Sequence, residues 1–382
     1  MGDDGVRTQT LAGGEGGVSE SWQRRAADLA TGMSTAKALR DAPVAASDLA
    51  RSHADAAARE AGLTGDLARL LADPLVTDVL INPDGSVVIE RAGELATTGL
   101  AVPDTRALAV RLAAAAGRRL DDASPIVDGT IHSGVRLHAI LPPLAYGGAA
   151  ISLRVARHQA FDLAALAERG TLHPELTAAL CTLLVRRANV VLTGATGTGK
   201  TTLLAALIRE LPDGERIVVI EEARELAPPH PHLITLQTRG ANTEARGGIG
   251  LADLVRAALR MRPDRLILGE ARGAEIRDVL AALNTGHAGC WFTLHANTPA
   301  DVPARLLALA ALAGLSESAL SAQAGAALDA IVHLERTGGQ RHVSHIAALA
   351  RREGRLVVEP ALSRRGREID VGPGAAHLGL GP

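Results

Sequence analysis

The sequence predicts an α/β protein of two domains, in which a smaller α+β unit precedes a doubly wound, largely parallel sheet. The chain has 382 residues, which is enough for two cores at roughly 150 residues per domain. Short apolar runs separated by turn residues lie in the first half. In the second half strands alternate with helices, the pattern that favours a parallel sheet covered on both faces.

The composition argues against several classes of protein. The formal net charge is −2, so there is no global attraction to nucleic acid or acidic membranes. The two cysteines, Cys181 and Cys290, cannot form a disulfide framework and fit a reducing cytosol. No apolar stretch follows a basic start, and the most apolar window, Val302 to Leu315, is too short to span a bilayer. We expect a soluble intracellular protein without a signal peptide.

The N-terminal segment lacks a lasting apolar period. Residues 1–45 are rich in Gly, Asp and Ser, a composition typical of a disordered arm, and a short helix is predicted near Trp22 to Leu29. From Ser47 onwards leucines recur at helical spacing as far as Leu71. A helix is therefore predicted before the first strand.

In the first domain the predicted strands and helices do not alternate regularly. Two apolar runs, Val76 to Ile81 and Val87 to Glu90, flank an Asn-Pro-Asp-Gly turn and predict a hairpin. A helix over Thr105 to Ala116 and strands over Arg136 to Leu141 and Ala149 to Val155 complete an α+β unit.

The second domain alternates regularly between short buried strands and helices. A helix that begins at Thr201 ends before Pro212, which cannot continue it. The predicted strands are Val190 to Leu192, Ile217 to Ile220, Leu233 to Leu236, Leu266 to Leu268 and Trp291 to Leu294, and the further helices are Leu251 to Arg262 and Ala274 to Leu283.

These elements divide the chain into five predicted segments. The disordered arm at 1–45 is followed by the α+β domain at 46–157 and a linker at 158–172. The α/β domain covers 173–360. The Gly- and Arg-rich residues 361–382 are predicted to be a loose tail.

A glycine-rich turn between the first strand and helix of the α/β domain predicts nucleotide binding. The residues from Gly194 to Thr201 fit G-x-x-x-x-G-K-[ST] after an apolar strand and at the start of a helix. Glycines let backbone N–H groups converge on phosphates, and the helix dipole favours the same charge. Lys200 would span the β- and γ-phosphates, and the Thr201 hydroxyl would bind Mg²⁺. The predicted nucleotide-binding residues are Gly194, Ala195, Thr196, Gly197, Thr198, Gly199, Lys200, Thr201 and Thr202.

Carboxylates follow two other predicted strands. An ordinary P-loop NTPase has an apolar strand that ends in Asp, the Mg²⁺ partner, but here the strand at Leu266 to Leu268 continues into Gly269 and Glu270. At a strand's carboxyl end Glu270 is a candidate for polarising the attacking water. Glu221 and Glu222 follow a second strand, and one of them would hold Mg²⁺ through water or share the role of base.

Two histidines flank the predicted strand over Trp291 to Leu294. The segment lacks a carboxylate or cysteine at a spacing suited to zinc, so we do not predict a zinc site. His287 lies on a glycine-flanked loop and is predicted to sense the γ-phosphate or the attacking water, with His295 positioning it.

Together these stretches resemble the ATPase superfamily of type II and type IV secretion systems. The likeness is strongest for the branch that powers tight-adherence (Flp) pilus assembly, which is related to the conjugation ATPases. Glu221 and Glu222 resemble its acidic box, with Glu222 where Asp is usual, and the segment from Arg260 to Gly273 resembles its Walker B region, with Gly in place of the usual Asp. The segment from Thr285 to Asn297 resembles its histidine box, from which Ala288, Trp291 and Phe292 depart.

The resemblance implies a RecA-like P-loop motor domain, a PAS-like N-terminal domain and a homohexameric ring with nucleotide between the domains. It also implies linker arginines that reach the γ-phosphate, and the matching positions are Arg154, Arg157 and Arg136. A planar guanidinium suits that task. Arg239 and Arg262 would contribute across a subunit boundary.

The expected function is that of a hexameric, ATP-hydrolysing motor with ATP and Mg²⁺ as cofactors. It would power pilus assembly or protein secretion by acting on an inner-membrane platform protein, from a peripheral position at the cytoplasmic face of that membrane. The expected roles are phosphate and Mg²⁺ binding for Lys200 and Thr201, water activation for Glu270 with assistance from Glu221, Mg²⁺ binding through water for Glu222, and γ-phosphate sensing for His287 and Arg154.

Three alternatives remain open from the sequence. A conjugation or DNA-transfer ATPase is the near neighbour of the pilus motor. A RecA- or helicase-type motor is less favoured, because single-strand binding uses basic grooves with stacking aromatics and this chain has two Phe, two Trp and one Tyr. A nucleotide-switched scaffold without turnover is the third.

Overall fold

The computed structural model describes residues 65–73, 75–91, 93–131, 134–155, 161–240 and 247–380. The predicted arm, the helix near residues 22–29, the helix start at Ser47, the first linker positions and Arg157 lie outside these residues. The described part of the chain contains two sheets, each with its own hydrophobic core.

The first sheet has six antiparallel strands in the order β3-β2-β1-β6-β5-β4 among the described residues. The apolar side chains on one face of this sheet pack against those of helix α2 (Thr105–Ala115). The elements are α1 (Asp66–Ala72), β1 (Val76–Ile81), β2 (Ser86–Arg91), β3 (Glu94–Ala101), α2 (Thr105–Ala115), β4 (Ile126–Thr130), β5 (Val135–Ile140) and β6 (Ala150–Val155).

The hairpin predicted at residues 82–85 is confirmed. Ile81 pairs with Val87, and Gly85 has a φ of +86°. A Cβ on Gly85 would lie 2.3 Å from the carbonyl oxygen of Val102, so only glycine fits this turn. Strands β3 and β4 were not predicted, because β3 is largely exposed and β4 is short and contains Asp128 and Gly129.

The second sheet has nine strands in the order β15-β14-β13-β12-β7-β11-β10-β8-β9 among the described residues. Its elements are α3 (Leu163–Glu168), α4 (Pro174–Val185), β7 (Val190–Thr193), α5 (Lys200–Arg209), β8 (Ile217–Glu221), β9 (Leu233–Gln237), α6 (Leu251–Ala258), β10 (Arg265–Leu268), α7 (Glu275–Asn284), β11 (Trp291–Leu294), α8 (Val302–Leu312), α9 (Glu317–Ala327), β12 (Ala330–Thr337), β13 (Gln340–Arg352), β14 (Arg355–Arg365), β15 (Glu368–Val371) and α10 (Gly374–His377).

Strands β12, β7, β11, β10, β8 and β9 are neighbours in this order and are all parallel. Five of them match predicted strands of the largely parallel sheet, whereas β12 was not predicted. Alternate side chains along each strand enter different cores. Val190 and Leu192 pack on the face covered by α3, α4 and α5, whereas Val191 packs on the face covered by α6 to α9. The result is a three-layer α/β/α domain in which every connecting segment of the site emerges at the carboxyl edge of the parallel strands.

The prediction of a loose C-terminal tail is wrong for residues 361–380. Residues 361–380 complete β14 and form β15 and α10, and they bury apolar side chains in the core beneath α4 and α5: Ala361, Leu362, Ala375, Leu378 and Leu380. Antiparallel pairing of β13, β14 and β15 makes the sheet mixed rather than purely parallel. Frequent Gly and Arg at the turns and on the exposed face hid the alternating apolar positions.

Within the described residues no single helix is long and apolar enough to cross a membrane. One consecutive pair, Pro299–Leu312 with Glu317–Ala327, meets the length and composition criteria only when joined, and its two halves are bent by 119°.

Candidate nucleotide site

The phosphate loop connects β7 to α5 with three glycines in conformations that other residues avoid. Gly194, Gly197 and Gly199 have φ values of +139°, +77° and +98°. A Cβ on Gly194 would lie 2.3 Å from the carbonyl oxygen of Leu334 on the neighbouring strand β12. The loop glycines therefore serve both the turn itself and the close packing of β12 against it.

Lys200, the first residue of α5, is buried and turned into the loop. Its Nζ donates to the carbonyl oxygens of Gly194 and Ala195, both at 2.8 Å, and lies 3.5 Å from Nδ1 of His295. Burial lowers the pKa of Lys200, and the negative charge of Glu270 partly opposes that shift. The ammonium is thus fixed beside the carboxylate predicted to act as base.

Glu270 is held on both sides. His295 Nε2 lies 3.1 Å from its Oε1, and Arg272 Nη2 donates to its Oε2 at 2.8 Å. Burial and then the charge of Lys200 lower the pKa of His295, which favours a neutral imidazole between Lys200 and the Glu270 carboxylate. Arg272 also donates to Glu222 at 2.8 Å. A continuous line of contacts therefore runs from the phosphate-loop lysine to the acidic turn after β8.

Glu221 ends β8 with its side chain buried. Its carboxylate accepts hydrogen bonds from the backbone N–H groups of Glu225 and Leu226, at 3.1 and 3.0 Å. Burial raises the pKa of Glu221 to about 8 and outweighs these hydrogen bonds, which lower it. In this state the carboxyl group carries its proton at neutral pH.

The packing of Glu221 explains the glycine before Glu270. Strands β8 and β10 are neighbours in register, and a Cβ on Gly269 would lie 2.9 Å from Cγ of Glu221. The space that a side chain at the end of β10 would fill is occupied here by the Glu221 side chain from the adjacent strand. A side chain at position 269 would therefore require Glu221 to shift.

These groups meet around a cavity of about 40 Å³. Its lining includes Thr201 of α5, the carboxylates of Glu221, Glu222 and Glu270, and the guanidinium groups of Arg136 and Arg272. Hydroxyl and carboxylate oxygens suit Mg²⁺, which is usually held by one or two protein groups together with phosphates. The described residues contain no cluster of three His, Cys, Asp or Glu side chains that would hold a metal alone. The donor set therefore fits Mg²⁺ that is shared with a nucleotide.

The structure separates the two histidines of the predicted sensor. Strand β11 is parallel to β7, so His287, which precedes β11, lies towards the amino edge of the sheet, away from the phosphate loop. Its Nδ1 contacts the carbonyl oxygen of Ala282, at 3.3 Å. His295 follows β11 and contacts Glu270, so within one chain His295 takes the place predicted for His287. The rule that ligands bind at the carboxyl ends of parallel strands would have distinguished them.

The two described arginines of the first domain that were predicted to reach the γ-phosphate lie next to each other, on the side of the first sheet that faces the α/β domain. Arg136 of β5 and Arg154 of β6 are directly opposite each other. Arg136 Nη1 lies 3.4 Å from Oε1 of Glu225, and Arg154 Nε donates to Asp78 at 2.8 Å. Arg136 thus reaches the acidic turn, whereas Arg154 is bound within its own domain.

The two arginines predicted to act across a subunit boundary lie at opposite edges of the α/β domain. Arg239 follows β9 at the carboxyl edge and lines a cavity of about 590 Å³ between the domains, together with Arg118 and Arg136. Arg262 precedes β10 at the amino edge and is exposed, with a φ of +54°. They do not form one group in this chain.

Two further residues of the site were not assigned a role from the sequence. Arg272 joins Glu270 to Glu222, and its position two residues after the candidate base was the available signal. His333 of β12 is buried, and its Nδ1 lies 2.7 Å from Oγ1 of Thr193, the residue before the phosphate loop. Burial lowers the pKa of His333. No local sequence pattern marks His333, because its partner lies on a strand 140 residues earlier.

Comparison with known proteins gives relatives that cover most of the chain. The chain is 48% identical over 302 residues to a putative conjugal transfer protein of Mycobacterium tuberculosis (strain H37Rv), covering 76% of this chain and 86% of that protein. It is 32% identical over 283 residues to the conjugal transfer protein TrbB of Rhizobium radiobacter, covering 72% and 84%.

Among solved structures, the ATPase DotB of Legionella pneumophila matches with a TM-score of 0.52 at 21% identity, over 75% of this chain and 81% of that chain. This match supports the α/β fold alone. Residues 61–348 match the family described as Type II/IV secretion system protein. The chain therefore belongs to the type II/IV secretion system protein family, which is a family of secretion ATPases.

Proposed function

We propose that this chain is a Mg²⁺-dependent ATPase motor of a conjugal-transfer, type IV secretion apparatus. The observation that carries the proposal is the Glu270 carboxylate, held between His295 and Arg272 beside the phosphate-loop lysine. A carboxylate fixed at that point is suited to orient a water molecule for attack on a terminal phosphate.

The phosphate loop would bind the triphosphate, and Lys200 would exchange its two carbonyl partners for β- and γ-phosphate oxygens. The Thr201 hydroxyl, with Glu222 through water, would hold Mg²⁺, which when bound neutralises charge on those phosphates. Glu221 would assist from its buried position beside Gly269. Thr201, Glu221 and Glu222 line the smaller cavity.

Glu270 would then accept the proton of the attacking water. His295 would hold the carboxylate in orientation through Nε2, and its Nδ1 would report whether Lys200 has moved to the phosphates. Arg272 would tie Glu270 to the acidic turn through Glu222. We propose that His287 senses the γ-phosphate only where it contacts the nucleotide site of a neighbouring subunit.

The N-terminal domain would respond to the nucleotide through its arginines. Arg136 and Arg154 are like charges directly opposite each other, an arrangement that an anion between them would relieve. Closure of the cleft would bring both guanidinium groups to the γ-phosphate. The resulting domain rotation would drive the apparatus, which we propose involves a homohexamer and an inner-membrane platform protein at the cytoplasmic face.

The relatives favour conjugal transfer over tight-adherence pilus assembly, the main expectation from the sequence. Two of them are named as conjugal transfer proteins and align over more than four fifths of their own length. The PAS-like character of the N-terminal domain and the RecA-like character of the motor remain part of the proposal.

Steady-state ATP hydrolysis and mass by light scattering test the proposal on wild type, Lys200→Ala and Glu270→Gln. We expect Mg²⁺-dependent turnover in a ring of about six subunits and a loss of at least about a hundredfold in both variants. Glu270→Gln retains the side-chain shape and should still bind ATP. Turnover unchanged in Glu270→Gln would instead support a nucleotide-switched scaffold.

The biological role is tested in the host strain. Lys200→Ala in place of the wild-type gene should abolish transfer of a marked mobile element to a recipient. Normal transfer together with loss of surface pili would return the assignment to pilus assembly. Arg355→Gln, at a surface turn far from the phosphate loop, serves as the matched control for expression.

A further inference from the structure

A nucleoside triphosphate bound here would have a defined direction. Glu270 and His295 follow β10 and β11, so the terminal phosphate belongs on that side of the phosphate loop, which we call the carboxylate flank (β11, β10 and β8). Strand β12 lies on the other side of β7. The nucleoside end must therefore point towards β12 and β13, residues 330–352, which we call the hairpin flank.

The hairpin flank is fixed to the phosphate loop at several points. Thr193 and His333 share a buried hydrogen bond of 2.7 Å, and a Cβ on Gly194 would lie 2.3 Å from the carbonyl oxygen of Leu334. At the turn, Gln340 Nε2 donates to the carbonyl oxygen of Arg169 at 3.3 Å. The tip of the hairpin therefore has a set position relative to the loop.

Two arginines occupy that tip. Arg336 and Arg341 are directly opposite each other across the hairpin, so their side chains share one face. A Cβ on Gly199 would lie 3.6 Å from Cδ of Arg341, which places the stem of Arg341 on the last residue of the phosphate loop. A Cβ on Gly93 would lie 3.9 Å from Nη2 of Arg336.

The pair carries positive charge without compensation. Both side chains are exposed, and neither forms a hydrogen bond or ion pair in the described part of the chain. Like charges directly opposite on adjacent strands destabilise a hairpin. An anion between the two guanidinium groups and the first turn of α5 would remove that cost, and α5 presents its N-terminal amides at the same place.

We propose that Arg341, with Arg336 beside it, binds the α-phosphate of the nucleotide. The proposal rests on the proposed function, because it requires the nucleotide to lie in the phosphate loop. The planar fork of arginine matches phosphate oxygens. The α-phosphate is common to ATP and ADP, so this contact contributes equally to the binding of both, whereas Arg154 of the N-terminal domain, proposed above to reach the γ-phosphate, would distinguish them.

Equilibrium titrations of the full chain with fluorescent mant-ATP and mant-ADP in the presence of Mg²⁺ test this assignment. Arg341→Gln should raise Kd for both nucleotides by about tenfold, the size expected for one charged hydrogen-bond pair. Arg336→Gln/Arg341→Gln should raise it further, again equally for both. Arg355→Gln, at the start of β14 and at the opposite edge of the sheet, is the matched control and should bind like wild type.

The results that overturn the proposal are specific. Unchanged ADP affinity in the double variant overturns it, and so does a loss confined to ATP, which would move the guanidinium to the γ-phosphate. Arg341→Lys keeps the charge and should lose only about threefold, which guards against misfolding as the cause. Failure of the proposed function is recognised separately in the wild type, which would then either bind neither nucleotide or bind ATP without Mg²⁺-dependent turnover.

Discussion

On the carboxylate flank, Arg272 forms ion pairs of 2.8 Å with both Glu270 and Glu222, and His295 adds a contact of 3.1 Å to Glu270. The hairpin flank has the opposite arrangement. Its buried groups, His333 and Thr193, are paired without net charge, and the arginines at its tip have no partner among the described residues.

The difference separates chemistry from binding. A side chain on the carboxylate flank must release one partner to take another, so its action depends on the state of the terminal phosphate. The arginines on the hairpin flank have nothing to release, and they can bind any nucleotide that enters. We therefore expect substitutions on the first flank to change turnover and those on the second to change affinity.

The largest expected effect is on stability, at the glycines where each flank approaches the phosphate site. Gly194→Ala places a Cβ against the backbone carbonyl of Leu334 at 2.3 Å and should lower the free energy of unfolding by about 3 kcal/mol. Gly269→Ala meets the Glu221 side chain, which can shift, and should cost about 1–2 kcal/mol. Urea-induced unfolding measures both.

Gly214→Ala is the control for these variants. It has no atom within 4 Å of the added Cβ and should stay within about 0.5 kcal/mol of wild type. If Gly194→Ala behaved like this control, the hairpin would not be packed against the loop. The contrast between the two flanks would then be wrong, and the proposal that Arg341 lies beside the α-phosphate would lose its structural support.

The next largest expected effect is on turnover, and it compares the two histidines His295 and His287. His295→Ala removes a contact that orients Glu270 and should lower kcat about tenfold with little change in ATP affinity. His287→Ala should stay within about twofold, because His287 contacts Ala282 at the far edge of the sheet. Steady-state kinetics on assembled protein decide between them. The reverse ranking would mean that His287 enters the site of a neighbouring subunit.

The last effect, small over any one pH unit, is a pH dependence of stability from Glu221. Its pKa is 4.5 when unfolded and about 8 when buried, so between these values the folded state holds a proton that the unfolded state has lost. The free energy of unfolding should therefore fall as pH rises from about 5 to 8, by at most about 1.4 kcal/mol per pH unit. Glu221→Gln keeps an acceptor for the backbone amides and should abolish this slope.

Urea-induced unfolding at about pH 6 and about pH 7.5 measures the slope. The exposed Glu94→Gln on β3 is the control and should leave it unchanged. An identical slope in Glu221→Gln and wild type would show that Glu221 is ionised, and the carboxylate flank would then carry one more negative charge than we infer.

The sequence was most informative where structure is local. Five of the six parallel strands, α5 and the hairpin at residues 82–85 follow from apolar runs and turn residues, and each matches an observed element. The failures have a common cause. Residues 361–380 gain their order only by pairing with β13 and packing beneath α4, contacts that no local pattern in the tail encodes.

The phosphate loop was determined by the sequence itself, because its conformation needs only glycines at fixed positions and a lysine at the start of a helix. Which charges meet around it was decided by the tertiary structure. The order β12-β7-β11-β10-β8 brings His295 to Glu270, Glu221 to Gly269 and Arg341 to Gly199. Such neighbours depend on how strands far apart in the chain are arranged in the sheet, and that arrangement is set by the packing of the whole core.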